Sequence, residues 1–303
     1  MVKKIIGICI PIYNEENNLS NLIDDIKLFI QNSKYKKEYE FEIIFYDDGS
    51  EDNSLQILDK EESFTVIDGQ ENKGLGYSIK RLFNEAISRD LDGLIKLDGD
   101  GQMKIKEIDI FLEQLIIKNS DVIYGNRFLS ETKYPMPIFR KIGSRFFSMI
   151  LKLYSIKIKD PTNGFIYVGK KYLQNYKIFG SYNAAQQILV DSSFRNLRIS
   201  EVPVNLNVRD SGKSFIGIKY PLIVLSSLII LTLHHLTNRL LIIPGMLMVV
   251  FGLGLFIYDI YMWLSGISSV IITNDIIYLL FIGGIQLIIF GTILDYFKIK
   301  NNN

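Results

Sequence analysis

The sequence predicts an α/β domain with a mainly parallel sheet between helices, followed by a C-terminal helical hairpin that crosses a membrane. Three observations carry this expectation. Short apolar runs alternate with helical patterns through the first two thirds of the chain, the signature of strands joined by helical crossovers. Each run stops at a polar cluster rich in Asp, Asn and Gly. Two long stretches near the C-terminus are almost free of charge and long enough to span a hydrocarbon core of about 30 Å.

The first strand is expected at Ile5–Ile10. Its two preceding lysines and apolar run briefly imitate a signal peptide, but the run is short, ends in Pro-Ile-Tyr-Asn-Glu-Glu and has no small-residue cleavage site. Cys9 then sits in a buried strand as a small core residue. Helical spacing follows at Asn18–Ile30, a second strand at Phe41–Tyr46, and a helix at Ser54–Glu61. A third strand is expected at Phe64–Ile67, a helix at Gly76–Arg89 and a fourth strand at Gly93–Leu97.

Beyond Tyr220 the texture changes. Leu240–Leu264 carries a single acid, Asp259, and Ile276–Tyr296 is interrupted only by Gln286 and, near its end, Asp295. Gly252, Gly254, Gly283 and Gly284 suit close packing between membrane helices, and Tyr258, Tyr261, Trp263, Tyr296 and Phe297 fit interfacial belts. The connection Ser265–Asn274 has no Lys or Arg, whereas Arg239 precedes the first span and Lys298 and Lys300 follow the second. The positive-inside rule puts both ends of the hairpin, and the N-terminal domain with them, in the cytoplasm. Pro221–Leu236 is short for a span and reads as a helix in the membrane interface, with a third span as the competing reading. The expected organisation is a catalytic domain over 1–214, a juxtamembrane region over 215–239, and two membrane helices within 240–303, at 240–264 and 276–297.

Composition narrows the function. The chain has 303 residues, 34 Lys plus Arg against 33 Asp plus Glu, and a net charge of +1, so a broadly basic nucleic-acid binder is excluded. With 48% hydrophobic residues it is not a disordered chain. One cysteine cannot form an internal disulfide, and the two adjacent histidines, His234 and His235, do not build a scattered His metal site. Any metal must be held by carboxylates.

The polar clusters supply them. Pro11-Ile12-Tyr13-Asn14-Glu15, Asp47-Asp48-Gly49-Ser50, Asp68 with Asn72-Lys73-Gly74, and Asp98-Gly99-Asp100-Gly101-Gln102 each follow a strand. In open α/β sheets ligands bind at the carboxyl ends of strands, so four such clusters point to one site. In an extended segment side chains two apart point the same way, letting Asp98 and Asp100 converge, with glycines admitting a ligand close to the backbone. Two carboxylates and the amide oxygen of Gln102 are hard donors suited to Mg²⁺ or Mn²⁺ bound together with phosphates. Asn72-Lys73-Gly74-Leu75-Gly76 lacks the third glycine of a dinucleotide fingerprint and reads as a tight turn and helix entry. Ser50 and Ser54 read as a turn and a helix cap.

Together with Gly125-Asn126-Arg127-Phe128, Asp160-Pro161-Thr162-Asn163-Gly164-Phe165, Glu201-Val202-Pro203 and Arg209 through Gly212 to Ser214, these motifs resemble the GT-A glycosyltransferases of family 2. The nearest branch is the dolichol-phosphate mannose synthase and bactoprenol glucosyl transferase type. The resemblance covers nearly the whole chain. It implies a GT-A nucleotide-sugar fold in which Pro11, Tyr13, Glu15 and Asp48 hold the base and ribose. Asp98, Gly99, Asp100 and Gln102 would meet the donor diphosphate, with Asp98, Asp100 and Gln102 holding a divalent metal, Mg²⁺ or Mn²⁺. Arg127 would sit by the phosphates, Arg140 and Ser144 would receive a lipid phosphate, and Arg209 with Lys213 would cover the donor. Asp100, Arg127 and Arg209 would then carry catalysis. The chain departs from the family pattern at Phe215, where a Lys usually follows Gly-x-Ser, so that Lys213 or Lys219 would supply the charge. It departs again at Ile166, where an Arg is common.

The resemblance also implies the partners: a nucleotide-sugar donor, a polyprenyl (dolichyl or undecaprenyl) phosphate acceptor and a lipid bilayer, with no nucleic acid. A homo-oligomer through the membrane helices is compatible with the sequence. A phosphate monoester, with a second pKa of about 6, is already mostly ionised at neutral pH and needs no strong general base. That agrees with a soluble region without histidine and implies one in-line displacement with inversion. A multi-pass protein of the cell membrane, or of an endoplasmic-reticulum-type membrane, follows. The competing readings are a transferase that extends a lipid-linked glycan and a catalytically silent membrane scaffold.

Overall fold

The computed structural model describes residues 3–130, 138–180, 184–207, 220–267 and 275–300. Strands β1 (Lys4–Ile12), β2 (Tyr39–Asp47), β3 (Thr65–Asp68), β4 (Gly93–Lys96), β5 (Val122–Asn126), β6 (Ile166–Gly169) and β7 (Ile199–Pro203) form one sheet in the order β3-β2-β1-β4-β6-β5-β7. Helices α1 (Glu16–Asn32), α2 (Ser54–Leu58), α3 (Leu75–Ser88), α4 (Ile108–Lys118), α5 (Ile138–Leu151), α6 (Lys170–Leu173) and α7 (Ala184–Phe194) connect them. The rest comprises α8 (Tyr220–Thr237), a π-turn over Asn238–Ile242, α9 (Ile243–Leu264) and α10 (Asp275–Lys300). Two compact units divide the chain, residues 1–228 and 229–303.

In the first unit β1 pairs in parallel with β2 and β4, and β2 with β3. The sheet is mixed because β6 runs antiparallel to both β4 and β5, while β7 returns parallel to β5. The alternation of β1 explains the layers: Ile6, Ile8, Ile10 and Ile12 enter one core with Leu19, Leu22, Ile23, Ile26 and Phe29 of α1 and Phe111 and Leu112 of α4. Each such side chain contributes about 1.5–3 kcal/mol on burial. Cys9, buried on the alternate face, has its thiol pushed well up by burial. On that face α3 covers β1 and β2, with Tyr77 edge-on to Tyr46 of β2 at 6.3 Å.

Strands β1, β2 and β3 extend one or two residues into the clusters that were expected to end them, whereas β4 stops at Lys96, one residue before the expected Leu97. Pro11 is tolerated inside β1 because β4 stops opposite Cys9. The Cys9 carbonyl accepts the Leu97 N–H, so the edge two residues further on, where a proline lacks its donor, has no strand to pair with.

In the second unit two stretches are long and apolar enough to cross a membrane, His235–Leu264, which includes α9, and Asp275–Tyr296, which makes up most of α10. Only 11% and 17% of those stretches is buried within the protein, unlike a soluble core hairpin. Their contact is built on glycine: a Cβ on Gly245 would lie 2.7 Å from the Gly284 carbonyl, and one on Gly284 2.8 Å from that of Gly245. Gly252 and Gly283 also pack across the pair, against Leu280 and Met248. Gly254, expected to do the same, faces open space. In α8 the apolar stretch Val224–Leu233 is shorter than either span, and the helix kinks at Leu236 (φ −114°).

Candidate functional site

The loops that leave β1 and β2 are sewn together at the carboxyl edge of the sheet. Asn14 adopts a left-handed backbone (φ 54°), a conformation Asn tolerates better than most residues. Its N–H donates to Ser50 Oγ (3.0 Å) and its Oδ1 accepts the Glu51 N–H (2.8 Å). The N–H groups of Glu15 and Glu16 donate to Ser54 Oγ (2.9 Å) and Asp52 Oδ2 (3.1 Å). Burial pushes the Asp52 carboxyl up, but these hydrogen bonds, led by Ser54, hold it below its ordinary value. Asp47 accepts the Ser50 N–H and hydroxyl. Ser54 therefore ties α2 to α1 instead of capping its own helix.

Asp48 is 4% exposed and accepts the N–H groups of Lys73 (3.1 Å) and Gly74 (2.8 Å). It fixes the turn that enters α3. Gly49 makes this approach possible: its φ is +73°, and a Cβ there would lie 2.5 Å from the Glu71 carbonyl carbon, so the position is closed to other residues. Tyr13 and Glu15 are half-buried beside this assembly and Pro11 is buried, with Glu15 accepting the Asn18 side-chain amide (2.6 Å).

At the end of β4, Asp98 and Asp100 are half-buried. Asp98 Oδ1 accepts the ammonium of Lys96. Gly99 is packed against β1, where a Cβ would meet Ile12 Cγ2 at 2.7 Å, so this glycine serves the approach of two strands. Asp100 Oδ1 accepts the Gln102 N–H (3.1 Å). The Gln102 carbonyl accepts the Asn207 N–H (2.8 Å) and Met103 bridges to Leu206, which pins this turn to the segment after β7.

The third component surrounds Asp160, which is fully buried. Arg127, at the end of β5, meets it with a two-nitrogen fork, Nε to Oδ2 and Nη2 to Oδ1, both at 2.7 Å. Its own N–H also donates to Oδ2 (3.0 Å), and Nη2 reaches Thr162 (2.8 Å). Ser144 of α5, buried, donates to Asp160 Oδ1 at 3.4 Å. Behind them Glu201 Oε1 accepts the N–H groups of Lys159 (2.8 Å) and Asp160 (3.2 Å) and the Asn126 amide (2.9 Å), and burial raises its carboxyl pKa. The loop closes on β5 through Asn163 Nδ2, which donates to the Gly125 carbonyl (2.8 Å). Its other end returns to β4: a Cβ on Gly164 would lie 2.8 Å from Lys96 Nζ and 2.9 Å from Asp98 Oδ2. One short loop thus touches both Asp98 and, through Asp160, Arg127 and Ser144.

Arg127 and Ser144 are therefore brought together, on the carboxylate of Asp160. Arg209 and Lys213 lie outside the described residues, as do Lys219 and the side chain of Arg140. Lys96, the Asp160 carboxylate and the serine stitches escaped the sequence reading. Lys96 had a signal, as a lysine inside an apolar strand two residues before an aspartate. Among the described residues no group of three or more His, Cys, Asp or Glu could hold a metal. Asp98, Asp100 and Gln102 offer hard oxygen donors, the type that Mg²⁺ takes together with ligand phosphates and water.

Residues 7–177, more than half of the chain, match the glycosyl transferase family 2 profile. The dolichol-phosphate mannosyltransferase of Pyrococcus furiosus is 29% identical over 218 residues, 69% of this chain and 58% of that protein, so the chain spans less than two thirds of that relative. The UDP-N-acetylglucosamine–dolichyl-phosphate N-acetylglucosaminyltransferase of Methanococcus voltae is 26% identical over 225 residues, 67% of this chain and 86% of that protein. Among solved structures, mannosyl-3-phosphoglycerate synthase from Rubrobacter xylanophilus shares the fold, with a TM-score of 0.53 at 12% identity over 78% of this chain and 74% of its own. A match over more than half of its length makes the chain a member of glycosyl transferase family 2.

Proposed function

We propose that the chain transfers a sugar, of the GDP-mannose or UDP-glucose donor type, from a nucleotide-diphosphate sugar to a polyprenyl phosphate at a membrane, with inversion. The observation that carries this reading is the loop 160–165, which sets Gly164 against Asp98 and Asp160 against Arg127 and Ser144. A donor diphosphate at the first end and an acceptor phosphate at the second would face each other across a fixed spacer. The dolichyl-phosphate acceptors named in both relatives support the acceptor class, and their different sugars leave the donor to experiment.

Pro11, Tyr13 and Glu15 would frame the base and ribose, and Asp48 would hold the turn beneath them. Asp98, Asp100 and Gln102 would hold Mg²⁺ or Mn²⁺, which when bound offsets the charge that develops on the leaving diphosphate. Arg127, forked onto Asp160, would hold Asp160 and Ser144 in place for the acceptor, Arg140 would add a second cation, and Arg209 and Lys213 would cover the donor. The acceptor oxygen is already anionic, so no residue need remove its proton. A polyprenyl tail stays in the bilayer at about 0.8 kcal/mol per CH₂, and α9 and α10 would keep the site at the headgroup plane with the catalytic unit in the cytoplasm.

Full-length protein in detergent, given radiolabelled GDP- or UDP-sugars and polyprenyl phosphate, is expected to form an alkali-stable lipid-linked monosaccharide that EDTA abolishes. No lipid-linked product with any donor would overturn the proposal. Normal activity in Asp100→Ala would overturn the metal assignment.

A further inference from the structure

Strand β4 is four residues long and wholly buried, and its last residue is a lysine. Lys96 is 4% exposed, a place lysine occupies almost only when paired. Its partner is Asp98, two residues on and on the same side of the extended chain, where the carboxylate is 34% exposed and open to ligands on its outer side. Gly164 passes close to this pair: a Cβ there would lie 2.8 Å from Lys96 Nζ and 2.9 Å from Asp98 Oδ2.

A divalent cation approaching Asp98 meets an ammonium already seated on one carboxylate oxygen, and like charges at this range repel strongly in a partly buried site. A diphosphate adds negative charge enough for both cations. We propose that Lys96 is a positioning residue that makes cation binding at Asp98 conditional on the donor diphosphate, a role that rests on the donor site described above. Without nucleotide the two aspartates hold a cation weakly. With it, Lys96 and the cation share the diphosphate and Asp98. By reciprocity, the cation and the nucleotide then strengthen each other's binding by the same factor.

The test is Mn²⁺ binding to the full chain in detergent, followed by electron paramagnetic resonance, with Mn²⁺ alone and with Mn²⁺ plus UDP or GDP, after correction for the Mn²⁺–nucleotide complex. Wild type is expected to bind Mn²⁺ weakly alone and about tenfold or more tightly with the matching nucleotide. Lys96→Met is expected to bind Mn²⁺ alone about tenfold more tightly than wild type, with the nucleotide enhancement reduced by a similar factor, while Lys96→Arg behaves as wild type. Lys96→Gln, neutral and able to hydrogen-bond Asp98, is expected to follow Lys96→Met and serves if that variant does not fold. A residue that merely fills the strand end would not move these affinities while the melting temperature stays constant. Unchanged or weaker Mn²⁺ affinity in both neutral variants, with wild type still binding Mn²⁺ and nucleotide, overturns the role of Lys96 alone. No Mn²⁺ binding by any variant, with or without nucleotide, overturns the donor site and the proposal together.

Discussion

Truncating Asp98 should harm the fold more than truncating the lysine that it neutralises. Asp98→Ala leaves Lys96, 4% exposed, as a buried charge without its carboxylate. Removing one partner of a buried pair costs about 3–5 kcal/mol. The lower end applies here because Asp98 is itself 34% exposed and the pair is partly hydrated. For a unit of this size about 3 kcal/mol lowers the melting temperature by about 6–12 °C. Lys96→Met removes the buried charge and leaves Asp98 to water, so it should cost about 1 kcal/mol or less. The double variant Lys96→Met/Asp98→Ala should recover most of the loss, because apolar replacement of a buried pair is often neutral or stabilising. Thermal unfolding of the four proteins in one detergent, by scanning calorimetry, measures the cycle. An Asp98→Ala variant that melts within about 2 °C of wild type, or a double variant no more stable than Asp98→Ala, would refute the pairing argument. The cycle also bears on activity data, since a dead Asp98→Ala enzyme would report lost folding together with lost chemistry.

Three further outcomes are expected. Arg127→Ala strips the fork from a fully buried Asp160 and should cost about 3–5 kcal/mol in denaturant unfolding, whereas Arg127→Lys keeps the charge without the two-nitrogen geometry and should cost less. Because burial raises the folded-state pKa of Glu201, the folded protein binds more protons than the unfolded one, and this group's contribution to stability falls as pH rises from about 4.3 through the folded pKa. Glu201→Gln, which keeps an oxygen for the Lys159, Asp160 and Asn126 donors, should flatten that fall in melts between pH 4 and 8, and an unchanged slope would remove Glu201 from the account. Gly284→Val should separate α9 from α10 and raise protease sensitivity in detergent, since its Cβ meets the Gly245 carbonyl, while Gly254→Val, facing open space, should not.

Segments governed throughout by one rule were the most legible in the sequence. The four strands and three helices of the first hundred residues follow from periodicity, and their ends differ from expectation by up to three residues, in the strands because hydrogen bonding to a neighbour, such as Ile12 beside Asp47, decides the last pair. The mixed character of the sheet was not legible: Ile166–Gly169 reads as any buried strand, and only its neighbours fix its direction. Asp98 and Asp100 stood out because they follow an apolar strand while matching polar clusters follow its neighbours. Asp160 and Glu201 were visible only as motif letters, since nothing local says that a carboxylate will accept backbone and guanidinium donors from residues about 30 to 75 positions away. Gly99 and Gly164 were legible as glycines, but their reason, a neighbouring side chain rather than a ligand, belongs to tertiary packing.

The loop 160–165 also bears on an electrostatic difficulty that the proposed reaction between two anions would meet in a site made of acids. A diphosphate or phosphate approaching unpaired aspartates would be repelled. Here the two carboxylates that the loop touches each have a cation: Asp98 has Lys96, and Asp160 has Arg127. Pairing is local and buried, so salt screens it little, and the acids can shape the site without opposing its ligands. The loop holds the two pairs in register, because Asp160 is fixed by Arg127, Asn163 by the Gly125 carbonyl and Phe165 by Phe111 at 4.5 Å. In the proposed transfer, groups placed this rigidly would hold donor and acceptor without being ordered during the reaction, the condition under which proximity contributes most to rate.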